Sequence, residues 1–315
     1  MKNIDDISLE EIFGDDFMDD SNFKGMNIKD KLSEIERDIK DVKELGFSYT
    51  STKKVPSRQD TDLTFEKGKG KKGKEIETCV LFVDIRNSVQ LNEKYSPDTM
   101  GKIYTAFTKS MLKIAQYHSG EVRNIIGDRV MIVFPTENCA ENAVECAISI
   151  KHISEIMNKV FSNVDFRCGV GIDYGKMRVI KVGIIRLGDN NVENKNLVWI
   201  GNPANIASRL TDIANKEIDL VCVSYEGFLG SAPSVEKRMN YEEFFNKFES
   251  EKGNFYFSGE EILDLKIEKQ AIPPILITEN VYGRLSPRIR DFFKGQGIDI
   301  KNSSTKIYGA DLEWK

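Results

Sequence analysis

Residues 78–85 read TCVLFVDI, an apolar run that stops at a carboxylate. Such an unbroken series of β-branched and aromatic residues does not alternate as a half-exposed strand would, so it demands a strand covered on both faces. Asp84 cannot continue into that interior, because an unpaired buried carboxylate is strongly disfavoured. The strand must therefore leave the core at Asp84. Just before it lies KGKGKKGK, residues 67–74, whose glycines and like charges predict a solvated loop.

The segments beyond this strand set its partners. Ser96-Pro97 opens a helix with proline in its first turn, Ile103, Phe107, Met111 and Ile114 form its apolar stripe, and Gly120 closes it. EVRNII and RVMIVF, spanning 121–134, are strand-like, with Gly127-Asp128 between them as a two-residue turn. A second helix runs from about Cys139 to Phe161, followed by the strand FRCGVGIDYG at 166–175, further strands at 177–187 and 196–200, a helix opening at Pro203, and the strand DLVCVS at 219–224. Strand, helix, hairpin, helix, strand is the ferredoxin-like βαββαβ order of an α+β fold.

Around this domain, residues 76–224, the chain carries appendages. Residues 1–75 hold an acidic start, an amphipathic helix, an extended arm through Ser57-Arg58, and the basic loop. In that helix Ile28, Leu32, Ile35, Ile39 and Val42 alternate spacings of four and three, a seam that seeks either the chain's own main domain or a second copy, and Gly46 ends it. Residues 225–315 read as an α/β extension, with a helix near 240–250, strands near 255 and 275 and a helix at 287–294, placed to cover the sheet or an edge between copies.

Composition narrows the chemistry. A net charge of -5 offers no general attraction to nucleic acid or anionic membrane, no apolar run approaches the 18 residues of a membrane span, and the acidic N-terminus is no secretory signal, so a cytoplasmic location is expected. The five cysteines lack CxxC spacing and read as reduced core residues. The two histidines, His118 and His152, stand in helical stretches without a ligand cluster, which removes most zinc sites and Ser-His-Asp chemistry. Catalysis must then rest on carboxylates, metals and arginine.

Three constellations supply these. Asp84 ends the central strand and Asp128 sits in the turn of the adjacent hairpin; converging acids are compensated by oxygen-ligated divalent cations, a magnesium or manganese pair, although a helix cap and a turn residue would account for the same spacing. Ile85, Arg86, Asn87, Ser88 and Val89 leave the strand with backbone N-H groups able to face a triphosphate, and Arg86 or Ser88 can add side-chain donors. In WIGNPANIASRL, residues 199–210, Asn205 and Arg209 lie at i and i+4, a phosphate fork and a sugar or oxygen ligand on one face, or simply an exposed polar face.

LFVDIRNS, IIGD, GVGIDYG and WIGNPANIASR, in this order and spacing, resemble the class III adenylate and guanylate cyclase domain over roughly residues 76–224. The resemblance implies that Asp84, Asp128 and the Ile85 carbonyl bind two metals, that residues 85–89 cradle the β- and γ-phosphates, and that Asn205 and Arg209 reach in from the opposite subunit of a homodimer. Purine cyclases carry lysine or glutamate three residues before the motif glycine, and aspartate or cysteine shortly before the WG-type motif. This chain has Asn124 and Val198-Trp199 there. Together with the arm SYTSTKKVPSRQD and the long tail, these departures resemble the bacterial pyrimidine cyclases of Pycsar anti-phage systems, which make cyclic UMP or cyclic CMP for a separate effector. On that likeness UTP is favoured over CTP, and Tyr49 either stacks on the base or packs on its own domain. An adenylate cyclase with unusual base contacts and a degenerate nucleotide-binding module are the alternatives.

Overall fold

The computed structural model describes residues 28–65, 70–162, 164–183, 195–225, 235–240, 263–298, 300 and 304–314. The chain forms two compact units: residues 1–48 with 66–71, and residues 49–65 with 72–315.

In the first unit the spaced apolar residues produce the expected helix, α1 (Ile28–Lys43), with Lys40 and Lys43 in its last turn complementing the helix dipole. Lys31 pairs with Glu34 (2.8 Å) and Lys40 with Glu36 (2.6 Å) along its flanks. Strand β1 (Gly46–Ser51) starts at Gly46, where the helix was expected to stop.

In chain order there follow β2 (Gly70–Ile85), α2 (Ser88–Lys94), α3 (Pro97–Tyr117), β3 (Glu121–Ile126), β4 (Arg129–Val133), α4 (Cys139–Val160), β5 (Cys168–Gly183), β6 (Lys195–Ile200), α5 (Asn202–Ile213), β7 (Glu217–Tyr225), β8 (Val235–Asn240), β9 (Leu263–Ala271), β10 (Ile275–Thr278), α6 (Glu279–Tyr282), α7 (Pro287–Arg290), β11 (Lys294–Gly295) and β12 (Ile307–Ala310). The main sheet has the order β11-β12-β10-β5-β2-β4-β3, with β1 also on β2 and β6 on β5; β8-β7-β9 form a small second sheet.

The TCVLFVDI run is central, as its composition requires: β2 lies antiparallel to β5 from Lys74↔Val179 to Ile85↔Cys168 and to β4 from Val80↔Val133 to Val83↔Val130. One sheet face, carrying Leu81, Val83 and Ile85, packs on Ile103, Phe107 and Met111 of α3 and on Ala143, Ala147 and Ile150 of α4. Phe107 is fully buried and its ring lies 5.7 Å from that of Phe166; burying such a side chain contributes about 1.5–3 kcal/mol. Ile76, Val80, Met131, Val133 and Met177 form the other face, under Ala207 of α5. This is the α+β, ferredoxin-like βαββαβ core that the element order implied.

Several expectations change. The basic stretch is no loop from Gly70 onward, because Lys74 is neutralised by Asp60 (2.6 Å) and Asp62 (3.3 Å) and its backbone is opposite Val179. The strands expected at 166–175 and 177–187 are one strand, β5: Gly175 serves close approach rather than a turn, since a side chain there would meet Pro203 of α5 at 2.9 Å. The last segment divides between the two sheets, with β8 and β9 in the small one and β10, β11 and β12 in the main one. β10 joins β5 in parallel at Ile275↔Val170 and is itself paired with β12. The helix expected at 287–294 is only the turn α7, and the elements expected near 240–250 and 255 lie outside the described residues. Cys79, Cys139, Cys146 and Cys168 are free and buried, as read from their apolar surroundings.

Candidate active site

The hairpin register carries Asp128 to the end of β2. Ile126 is opposite Arg129, which leaves Gly127 (φ 60°) and Asp128 as the two-residue turn, the pattern of a type II′ hairpin. Because Val83 is opposite Val130, the next residues along are Asp84 beside Arg129, then Ile85 beside Asp128. This register puts Asp84 and Asp128 at the same end of neighbouring strands, Asp84 level with Arg129 and Asp128 in the turn just beyond it.

Asp84 is half-buried and flanked by two guanidinium groups, Arg129 Nη2 at 2.8 Å and Arg86 Nη2 at 3.6 Å. Arg129 also reaches α5, donating to Ser208 Oγ (2.9 Å) and Asp212 Oδ1 (2.5 Å). Burial works against the Arg129 charge, yet its hydrogen bonds to Asp84 and Asp212 outweigh this and raise its pKa. Arg129, Ser208 and Asp212 were not singled out from the sequence. Arg129 was findable: it follows Asp128 and, counted outward from the turn, is opposite Asp84. Lys216, just past α5, feels the charges of Arg86, Asp212 and Asp84; burial lowers its pKa.

Residues 85–89 run from the end of β2 into α2. Asn87 adopts the left-handed conformation (φ 56°) and begins the short helix α2, so the N-H groups of its first turn, from Ser88 and Val89, point away from the helix body. Arg86 is not a donor to this loop. Its side chain is buried, with Nη2 donating to Thr211 O (2.8 Å) and Nη1 to Asp212 O (3.4 Å), the last carbonyls of α5. A cation there opposes the negative helix end; burial lowers its pKa while Asp84 acts in the other direction.

Helix α5 has three distinct sides. Pro203, Ala207, Leu210 and Thr211 are buried, and Thr211 Oγ1 donates to Phe82 O (3.0 Å). Ser208 and Asp212 turn toward Arg129. Asn205 and Arg209 lie on the side opposite Ala207, and both are exposed. Within one protomer they therefore do not share the face that adjoins Asp84.

Asn124 is exposed at the bulge in β3 and opposite Met131, in a row with half-buried Phe82. Trp199 is opposite Val179 and packs at the edge of the Ile76, Val80 and Met177 cluster. Tyr49 lies on its own domain: a side chain added at Gly73 would meet its ring at 2.6 Å, and the Arg178 guanidinium stands 5.4 Å from the ring centre. Gly73 is eleven residues from Asp84 along β2, roughly 35 Å at strand rise. Base stacking by Tyr49 beside the acids of its own protomer is thereby excluded.

Asp84 and Asp128 with the Ile85 carbonyl are an all-oxygen donor set, which suits a hard divalent cation such as Mg2+ or Mn2+. The guanidinium groups around Asp84 mark a place that holds positive charge. The residues present therefore fit a metal.

Comparison with known proteins places the chain in a family. Residues 71–229 match the family described as the adenylate and guanylate cyclase catalytic domain. A protein named uridylate cyclase from Burkholderia cepacia is 32% identical over 176 residues, 54% of this chain and 72% of that one. Another uridylate cyclase, from Gulbenkiania mobilis, is 25% identical over 245 residues, 72% of this chain and 89% of that one. A bacterial light-regulated adenylyl cyclase of known structure has the same fold, with a TM-score of 0.52 at 15% identity, covering 95% of this chain and 67% of that one. The chain belongs to the adenylate and guanylate cyclase catalytic domain family. It is a class III nucleotidyl cyclase, an enzyme class that binds a nucleotide substrate, uses divalent metal ions and commonly forms dimers with shared active sites. Among the described residues no helix is long and apolar enough to cross a membrane.

Proposed function

We propose that this cyclase converts a pyrimidine nucleoside triphosphate, UTP before CTP, into the 3',5'-cyclic nucleotide and pyrophosphate. It does so in a homodimer whose two sites are each built from both chains. What supports this reading is the split arrangement: Asp84 and Asp128 belong to the same end of neighbouring strands, while Asn205 and Arg209 stand on the outer side of α5.

In each site one protomer would supply Asp84, Asp128 and the Ile85 carbonyl for two cations and the amides of residues 85–89 for the β- and γ-phosphates. The partner would supply Arg209 to the α-phosphate and Asn205 to the ribose. The 3'-hydroxyl gives up its proton to solvent or to the departing pyrophosphate, its oxygen forms a bond to the α-phosphorus, the bond to the β-phosphate bridge breaks, and pyrophosphate leaves with that electron pair. Bound cations would acidify the 3'-hydroxyl and spread the triphosphate charge. Arg209 would meet charge that grows on the α-phosphate, so its contribution is to the transition state rather than to ground-state binding.

Pyrimidine choice is supported by Asn124 and Val198-Trp199 where purine cyclases carry charged or thiol base readers, and by two relatives named uridylate cyclase. The product would act as a messenger for a separate effector in anti-phage defence. The test is incubation of the purified chain with Mn2+ and each of ATP, GTP, CTP and UTP, with products identified by mass spectrometry. Cyclic UMP as the main product is expected. Cyclic AMP alone would defeat the pyrimidine reading, and bound nucleotide without any cyclic product would defeat catalysis.

A further inference from the structure

Three polar side chains that the proposed reaction does not use converge away from the acids. His118 follows the last turn of α3, and Glu145 and Ser149 stand four residues apart on one side of α4. The chain enters β3 only after His118, at Glu121, and the Gly127-Asp128 turn is at the other end of that six-residue strand, roughly 16 Å further on at strand rise.

His118 Nε2 and Ser149 Oγ are 2.8 Å apart, and the Trp314 indole N-H donates to the same oxygen at 2.8 Å. An indole nitrogen only donates, so Ser149 gives its own hydrogen to His118 Nε2, and Nδ1-H then faces Glu145 Oε2 at 3.8 Å. His118 and Ser149 are buried. Burial lowers the His118 pKa, with Glu145 acting in the other direction, so the ring is neutral at pH 7.

This relay lines a cavity of about 580 Å3 together with Tyr117 and Asn142, a size that suits a small molecule. No lysine or arginine is among the lining residues. Among the described residues none pairs with Glu145, whose side chain is 38% exposed. The bond to Ser149 fixes the Trp314 ring, and Tyr117 stands edge-on to His118 with ring centres 4.9 Å apart. A carboxylate with only a neutral imidazole beside it, next to two aromatic rings, is the chemistry that receives an organic cation: the acid supplies the opposite charge, the ring faces attract the cation, and Asn142 can accept a hydrogen bond. An anion would meet Glu145 and no base, and a neutral apolar molecule would strip water from the carboxylate without replacing it.

We propose that the cavity between α3, α4 and Trp314 binds a small organic cation, a protonated amine on an aromatic or alkyl skeleton, with Glu145 as its counter-ion. The site is complete within one chain and needs neither metal nor nucleotide, so its failure would leave the cyclase reading untouched.

The test is a tryptophan fluorescence titration of the full-length chain without metal or nucleotide. Benzylamine is the probe, and benzyl alcohol and benzoate are its neutral and anionic counterparts. Trp314 is one of two tryptophans and lines the cavity, so it reports occupancy. Benzylamine is expected to give a saturable change with a midpoint on the order of 1 mM, the scale of one partly exposed ion pair with a cation-π contact. Benzyl alcohol and benzoate should require roughly ten-fold more or fail to saturate. Glu145→Gln keeps the shape and removes the charge, and should raise the benzylamine midpoint about five-fold; Trp314→Phe should abolish the signal. Equal midpoints for benzylamine and benzyl alcohol would mean an apolar crevice, an unchanged midpoint in Glu145→Gln would put the amine elsewhere, and no saturation would mean no site; each overturns the proposal. The comparison of probes uses the unmodified chain and so stands even where a variant fails to fold.

Discussion

Gly171→Ala is expected to damage the enzyme twice, through two separable measurements. Gly171 is in β5 opposite Phe82, directly under α5, and a methyl group there would stand 2.3 Å from Ala207 O and 2.6 Å from Leu210 Cβ and Thr211 N. The nearest of these is about 1 Å short of ordinary contact, and two of the three obstacles are backbone, so rotating a side chain gives no relief. The helix must lift or the strand must yield. Overpacking of this kind costs about 1–3 kcal/mol, and the backbone contacts argue for the upper end. For a unit of this size that is a fall in Tm of roughly 5–10 °C. Since α5 carries Asn205 and Arg209, a displacement of about 1 Å at the proposed transition-state contacts should lower kcat on the order of 100-fold, with KM changed far less. Thermal unfolding and initial rates of cyclic nucleotide formation read the two effects. Gly101→Ala is the control: a methyl group at that position in α3 meets nothing within 4 Å, so it should stabilise by about 0.5–1 kcal/mol with unchanged kcat. Wild-type Tm and kcat in Gly171→Ala would refute the seating of α5 on β5 and the reasoning built on it.

Two further outcomes are expected from the same geometry. Arg129→Ala removes the guanidinium that holds Asp84, so Mn2+ binding measured calorimetrically without nucleotide should tighten by roughly 5–30-fold, a charge-assisted hydrogen bond discounted for its partial exposure; unchanged or weaker binding would count against Asp84 as a ligand. Burial of Asp173 raises its pKa although Thr278 Oγ1 donates to it at 2.5 Å. A folded-state pKa above the unfolded one means ionisation costs stability: the cost is absent below the ordinary carboxylate range and grows as pH rises through the raised value. Asp173→Asn should therefore gain stability over wild type in urea unfolding as pH climbs from about 4 to 7, and a gain largest at the acidic end would contradict this.

Much of the core was legible because its signals are local. The unbroken run at 78–85, the Gly127-Asp128 turn and the i, i+4 pair Asn205 and Arg209 each encode their own geometry. The features that were not legible depend on partners distant in sequence. Nothing near Lys74 announces that Asp60 and Asp62 will neutralise it and let its segment extend β2. Arg86 looked like a phosphate donor because its neighbours are loop amides; only the arrival of the α5 C-terminus, about 125 residues later, turns it inward. The parallel pairing of β10 with β5 closes across about 100 residues, with no local pattern to mark it.

Complementation between two disabled chains tests the shared site most directly. Asp84→Ala and Arg209→Ala homodimers should each be inactive, and a verified heterodimer of the two should regain one intact centre and up to about half the wild-type rate per dimer, since its second centre lacks both groups. Heterodimers as inactive as their parents would contradict a catalytic centre assembled from two protomers.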